Sequence, residues 1–196
     1  MRNDIERVLI DEAVIERRLD AMAEAIERDF PPGPLLVIIL LKGALVFAAD
    51  LLRRVARPIA IECLNVASYH GATTSSGKID FLDRQFPEVC GRHVLLLDDI
   101  LDTGRTLHAV IERLRQEGAA AVRSAVLLAK DKPRAAAVSV DYVGFEIGDE
   151  FVVGYGLDYL GQFRNLPFVG VLKAAVVARM GGIEDRATGG FTARPC

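Results

Sequence analysis

The chain reads as an α/β protein with a doubly wound, mainly parallel central sheet, and three observations lead there. Short apolar runs alternate with segments of helical periodicity. The clearest run, Leu35 to Leu41, is continuously apolar, as a parallel strand covered on both faces must be. The runs end in small or charged turns, such as Lys42-Gly43-Ala44 and Asp102-Thr103-Gly104, that lead into the next helix. In sheets of this kind ligands collect at the carboxyl ends of the strands.

Taken in order, the first element is an amphipathic helix over Asp11 to Arg28. Ile15, Leu19, Met22 and Ile26 fall at helical spacing, Asp11 occupies the N-cap, and Glu and Arg fill the other face. Phe30-Pro31-Pro32-Gly33-Pro34 stops it. The strand Leu35–Leu41 follows, then a helix over Leu45 to Arg54 and a second strand over Ile59 to Ala67. Ser68 to Gly77 is small and polar and cannot pack a core, so it reads as a mobile loop, with Lys78 to Leu82 as the returning strand of a hairpin. His93 to Leu97 is a third buried strand ended by Asp98-Asp99. Thr106 to Glu117 is a helix with Leu107, Val110, Ile111 and Leu114 on one face, stopped by Gly118. Val122 to Ala129 is a fourth strand, and shorter ones are expected at Tyr142–Phe145, Phe151–Tyr155 and Phe168–Leu172. One domain over residues 1–178 is expected, with residues 179–196, rich in Gly, Arg and Thr, as a flexible C-terminal tail.

Composition narrows the class of function. With 51% hydrophobic residues the chain has the makings of a large core, and disorder as a whole is excluded. A net charge of −3 argues against nucleic acid as the partner. Cys63, Cys90 and Cys196 are odd in number and scattered, which excludes a disulfide framework and a structural zinc site. The first eighteen residues are studded with Arg, Asp and Glu, unlike a secretory signal, and the longest apolar run is too short to span a bilayer. A cytoplasmic protein without a membrane partner is the expectation.

The chemistry concentrates between Val94 and Leu107. A buried strand delivers the adjacent carboxylates Asp98 and Asp99 to its carboxyl end, and a short loop of Asp102, Thr103, Gly104, Arg105 and Thr106 opens a helix. Free N–H groups at a helix start, joined by threonine hydroxyls, cradle one phosphate, and Gly104 lets the backbone approach it closely. Carboxylates would repel a bare phosphate ester, so their partners there are sugar hydroxyls or a divalent metal. Singly, an acidic pair is an ordinary solvated strand end, Asp102 an ordinary N-cap and Arg105 a surface residue. The whole run is harder to explain that way.

This segment resembles the signature with which phosphoribosyltransferases bind 5-phosphoribosyl 1-diphosphate (PRPP). Further matches stand in the same order along the chain: Leu41-Lys42-Gly43 after the first strand, Ser68-Tyr69 opening the loop, and Lys130-Asp131-Lys132-Pro133 after the fourth strand. Asp149 to Tyr159 and Phe163-Arg164-Asn165-Leu166-Pro167 complete the set, and together they resemble the 6-oxopurine (hypoxanthine) phosphoribosyltransferases over about Ile10 to Leu172. Two positions depart from the pattern. Asp98 stands where Glu is frequent, and Ala44 where Gly or Ser is frequent.

The resemblance implies a type I phosphoribosyltransferase fold with a small hood region and a flexible lid, Ser68 to Gly77. It implies a purine-salvage reaction in which N9 of hypoxanthine or guanine displaces diphosphate from PRPP, with Mg²⁺ as cofactor. It assigns Asp98 and Asp99 to the ribose hydroxyls and, with Asp158, to the metal; Asp102 becomes the general base near the purine N7. Thr103, Gly104, Arg105 and Thr106 would hold the 5′-phosphate, and Lys42, Gly43 and Arg164 the diphosphate, with the bond before Lys42 cis. Lys130 would donate to the purine O6, Phe151 would stack on the ring, the backbone at Val152 would read its edge, and Ser68 and Tyr69 would reach in from the lid. A homodimer or homotetramer is implied as well. Two other readings share the fold, a xanthine-preferring enzyme and an RNA-binding regulator; the acidic balance and the purine-pocket residues stand against the second.

Overall fold

The structure is a computed structural model, and it describes residues 1–67, 80–82, 85–133 and 135–187. The elements run β1 (Ile5–Ile10), α1 (Glu12–Asp29), β2 (Leu35–Leu41), α2 (Leu45–Leu52), β3 (Ile59–Ala67), β4 (Asp80–Phe81), β5 (His93–Leu101), α3 (Arg105–Gln116), β6 (Ala121–Lys130), β7 (Tyr142–Ile147), β8 (Val152–Val153), β9 (Val169–Leu172) and α4 (Ala174–Ala187).

Five strands form a parallel sheet in the order β3-β2-β5-β6-β7, and β4 adds antiparallel at the β3 edge. The apolar run of β2 is buried on both sides. Leu35, Val37 and Ile39 join a core with α1 and α2, while Leu36, Ile38 and Leu40 join a second core with Leu107, Val110, Ile111 and Leu114 of α3. That two-sided burial is what a continuous apolar strand requires, and the expected doubly wound fold is the one found.

A separate antiparallel sheet, β1-β9-β8, sits apart from the central one. It builds a third cluster from Ile5, Val153, Phe163, Leu166, Phe168 and Leu172, and α4 packs Val176 and Met180 into it. This is the hood. β1 was not anticipated, because Glu6 and Arg7 interrupt its pattern and only its end residues, Ile5 and Ile10, are buried.

Two boundaries differ from expectation. β5 continues through Asp98 and Asp99 to Leu101, because Asp98, Ile100 and Leu101 still pair with Val126, Leu128 and Ala129 of β6. α4 carries helix past Arg179 to Ala187, anchored by the hood cluster, so the expected tail does not begin at residue 179. Asp11 stands at the N-cap of α1, but its main-chain oxygen does the capping, accepting from Val14 and Ile15 without a side-chain bond. No helix among the described residues is long and apolar enough to cross a membrane.

Candidate active site

The strand order reverses between β2 and β5. From β2 the sheet continues outward through β3, and from β5 it continues the opposite way through β6 and β7. Loops leaving the two strands therefore diverge and open a crevice at their carboxyl ends. The last β2–β5 pair is Ile39 with Leu97, so Asp98 and Asp99 extend beyond that ladder while β6 still supports them.

The turn leaving β2 begins with a cis Leu41–Lys42 bond and puts Gly43 directly on Asp99. A β-carbon on Gly43 would fall 1.7 Å from Asp99 Oδ2 and 2.4 Å from its Cγ. The Gly43 carbonyl is packed in turn against Gly156, whose own β-carbon would lie 2.1 Å from that oxygen. Arg164 secures the Gly156 loop: its main-chain oxygen accepts from Gly156 N at 2.8 Å and its Nη1 donates to Gly156 O at 2.6 Å. The same guanidinium pairs with Asp158 Oδ1 at 2.5 Å, and Gly161 N donates to Asp158 Oδ2 at 2.7 Å. Gly43, Asp99, Gly156, Asp158 and Arg164 thus form one continuous cluster.

Burial pushes both adjacent carboxyls upward. Asp98 stands well above the usual carboxylate range, with the neighbouring Asp99 charge adding to the burial. For Asp99 the same burial is opposed by its hydrogen bonds with Asp98 and Ile100 and by the Arg164 guanidinium. Two crowded acids of this kind are suited to hydroxyl donors or to a shared cation, either of which relieves their repulsion.

Three residues beyond, the chain enters a second cluster. Asp102 pairs through Oδ1 with Lys132, whose Nζ also lies 3.0 Å from Asp149 Oδ1. Lys130 reaches that same Asp149 oxygen at 3.0 Å, and the two lysines hold the Asp149 carboxyl below its ordinary range. The loops are latched together by main chain, since Ala135 N and Ala136 N both donate to Thr103 O. Gly104 then turns the chain at φ +77° into α3, where no side chain caps the first N–H groups. Its missing side chain is required as well, because a β-carbon would meet Val138 Cγ1 at 2.7 Å. An uncapped helix start beside a left-handed glycine is a ready anion cradle. Thr106 is half-buried there and Arg105 points outward.

Phe151 precedes β8 and is 54% exposed, so it is no core aromatic. Tyr159 meets it edge to face with ring centres 5.4 Å apart. Val152, next to it, is buried and pairs with Val171. Lys42 is exposed beside Gly43. Ser68, Tyr69 and the rest of the expected lid lie outside the described residues. No group of three or more His, Cys, Asp or Glu side chains that could hold a metal ion occurs among the described residues. Reading the sequence missed three participants: Lys132, Asp149 and Gly156. Each stands within a motif of the sequence, but the contacts that matter join separate loops.

The comparisons with known proteins agree with this architecture. Residues 9–160 match the phosphoribosyl transferase domain family. The chain is 40% identical over 176 residues to the hypoxanthine-guanine phosphoribosyltransferase of Bacillus subtilis (strain 168), covering 90% of this chain and 98% of that one. It is similar in structure to a hypoxanthine phosphoribosyltransferase from Staphylococcus aureus, with a TM-score of 0.85, 37% identity and coverage of 90% and 96%. The Trypanosoma cruzi hypoxanthine phosphoribosyl transferase superposes with the same TM-score at 34% identity, over 91% of this chain and 96% of that one.

Proposed function

The chain belongs to the phosphoribosyl transferase family, and from that premise we infer a purine-salvage enzyme that moves the 5-phosphoribosyl group of PRPP to N9 of hypoxanthine and guanine. The observation that carries the reading is the passage from Asp98 to Gly104: two crowded acids, then Asp102, then an uncapped helix start, all at the switch point of the sheet.

The 5′-phosphate sits on the first turn of α3, received by the N–H groups after Gly104 and by the hydroxyls of Thr103 and Thr106, with Arg105 at the rim. Asp98 and Asp99 accept hydrogen bonds from the ribose hydroxyls, which fixes C1 of the sugar above the crevice. Lys42, the Gly43 turn and Arg164 bind the diphosphate, with Ser68 and Tyr69, outside the described residues, as further ligands. The purine lies against Phe151, its edge read by the backbone at Val152, while Lys130 donates to O6. An amino group at that position would meet a donor instead of an acceptor, so adenine is rejected.

As the C1–O bond to diphosphate breaks and the N9–C1 bond forms, Asp102 takes the proton at N7. Exclusion of water from the site protects the cationic sugar. The donor set fits Mg²⁺, which binds hard oxygens through one or two carboxylates together with substrate phosphates and needs no complete protein cage. Asp98, Asp99 and Asp158 are the residues that would hold it. When bound, it supplies neutralisation of the charge developing on the leaving diphosphate. The working enzyme is a homo-oligomer, a dimer or tetramer.

A parallel assay with PRPP, Mg²⁺ and each of hypoxanthine, guanine, xanthine and adenine tests the reading. Nucleotide should form from hypoxanthine and guanine, and adenine should be inert. Turnover with xanthine alone would overturn the substrate assignment, and no turnover by folded protein would overturn the function.

A further inference from the structure

We propose that Lys132 is the positioning residue of the base, holding one oxygen of the Asp102 carboxylate so that the other is presented to the purine. The inference rests on the reading of Asp102 as the base, and four observations support it. Lys132 Nζ pairs with Asp102 Oδ1, and that oxygen is shielded from solvent although the Asp102 side chain as a whole is 43% exposed. The open side of the carboxylate is therefore its Oδ2 side. Lys132 is held from behind, because Asp149 Oδ1 lies 3.0 Å from the same ammonium. The carboxylates of Asp102 and then Asp149 hold that ammonium protonated above the ordinary lysine range. Finally, the backbone bonds from Ala135 and Ala136 to Thr103 O lock the Lys132 loop onto the loop that carries Asp102.

The two lysines at the end of β6 accordingly divide their work. Lys130 shares Asp149 with Lys132 but has no pairing to Asp102, which leaves Lys130 for the substrate and Lys132 for the carboxylate. A flexible acid restrained at one oxygen loses less orientational freedom when the base arrives, so the gain appears in the chemical step more than in PRPP binding. Lys132 touches no reacting atom in this scheme.

The test is a double-mutant cycle on kcat and KM with hypoxanthine and PRPP, using Lys132→Met, Lys132→Gln, Lys132→Arg, Asp102→Asn and the Asp102→Asn/Lys132→Met double variant, each checked for wild-type melting. Lys132→Met and Lys132→Gln should lose about tenfold or more in kcat, with the KM for PRPP within about twofold of wild type. Lys132→Arg should restore most of that loss, and the double variant should be no more than about twofold slower than Asp102→Asn alone. Wild-type kcat in Lys132→Met and Lys132→Gln, or losses that multiply in the double variant, would overturn the inference while leaving the base in place. Wild-type turnover in Asp102→Asn would overturn the base, and this inference with it.

Discussion

Gly43 and Asp99 are in such close contact that a methyl group on Gly43 would occupy the place of the Asp99 carboxylate, with Oδ2 only 1.7 Å from the β-carbon. One strand end therefore sets the position of the other's acid. The relationship explains why a glycine follows Lys42, and it distinguishes two substitutions that look equivalent in the sequence.

Gly43→Ala meets a side chain that can rotate, so the chain should fold and the acid should be displaced. The expected result is a fall of about tenfold or more in kcat/KM for PRPP with a small change in Tm. Gly156→Ala meets the Gly43 main-chain oxygen at 2.1 Å and must hold φ +102° as well. Backbone cannot step aside so easily, and a loss of roughly 2 kcal/mol or more is expected, seen as a Tm lowered by roughly 5 °C or more. Thermal melts and PRPP kinetics on the two variants separate these effects.

Phe151 is 54% exposed, so its ring is free of the core and available to the purine that the proposed function places there. Phe151→Ala should leave Tm within about 2 °C of wild type, since surface truncations cost little. Loss of a stacking face is worth about 1–3 kcal/mol per base, so KM for hypoxanthine should rise about tenfold or more.

Tyr142 supplies a pH dependence of stability. Its hydroxyl donates to Asp29 Oδ2 at 3.3 Å, and burial together with the Asp29 charge pushes the phenol up to about 12. The folded group stays protonated where the unfolded one, near 10, has begun to ionise. The unfolded state then binds fewer protons, and stability falls as pH rises. The contribution is intact below pH 10 and is lost between about 10 and 12. Melting curves across that range should decline more steeply for wild type than for Tyr142→Phe.

Much of this molecule is legible in its sequence because the physics there is local. Seven consecutive apolar residues, Leu35 to Leu41, leave few options but a strand buried on both faces, and β2 has those bounds. The Asp98 to Thr106 run names its own neighbourhood, since acids, a glycine and threonines all fall within one strand-to-helix turn. What escaped depends on distant partners. β1 carries Glu6 and Arg7 and is a strand only because β9 pairs with it. α4 contains Gly181 and Gly182, poor helix formers, yet Val176 and Met180 are buried in the hood. Asp98 and Asp99 read as the end of β5 because two charges follow the apolar run, but β6 carries the ladder further. Lys132 had no local signal: its meaning comes from two loops thirty residues apart that meet at Asp102.

The most direct measurement is the turnover number of Asp102→Asn with hypoxanthine, PRPP and Mg²⁺, beside wild type and with melting curves on both. A positioned base contributes about 10²–10⁴-fold, so kcat should fall by that factor while Tm stays within about 2 °C. A variant with kcat within about threefold of wild type would contradict the account, because the carboxylate around which this site is assembled would then do no proton transfer.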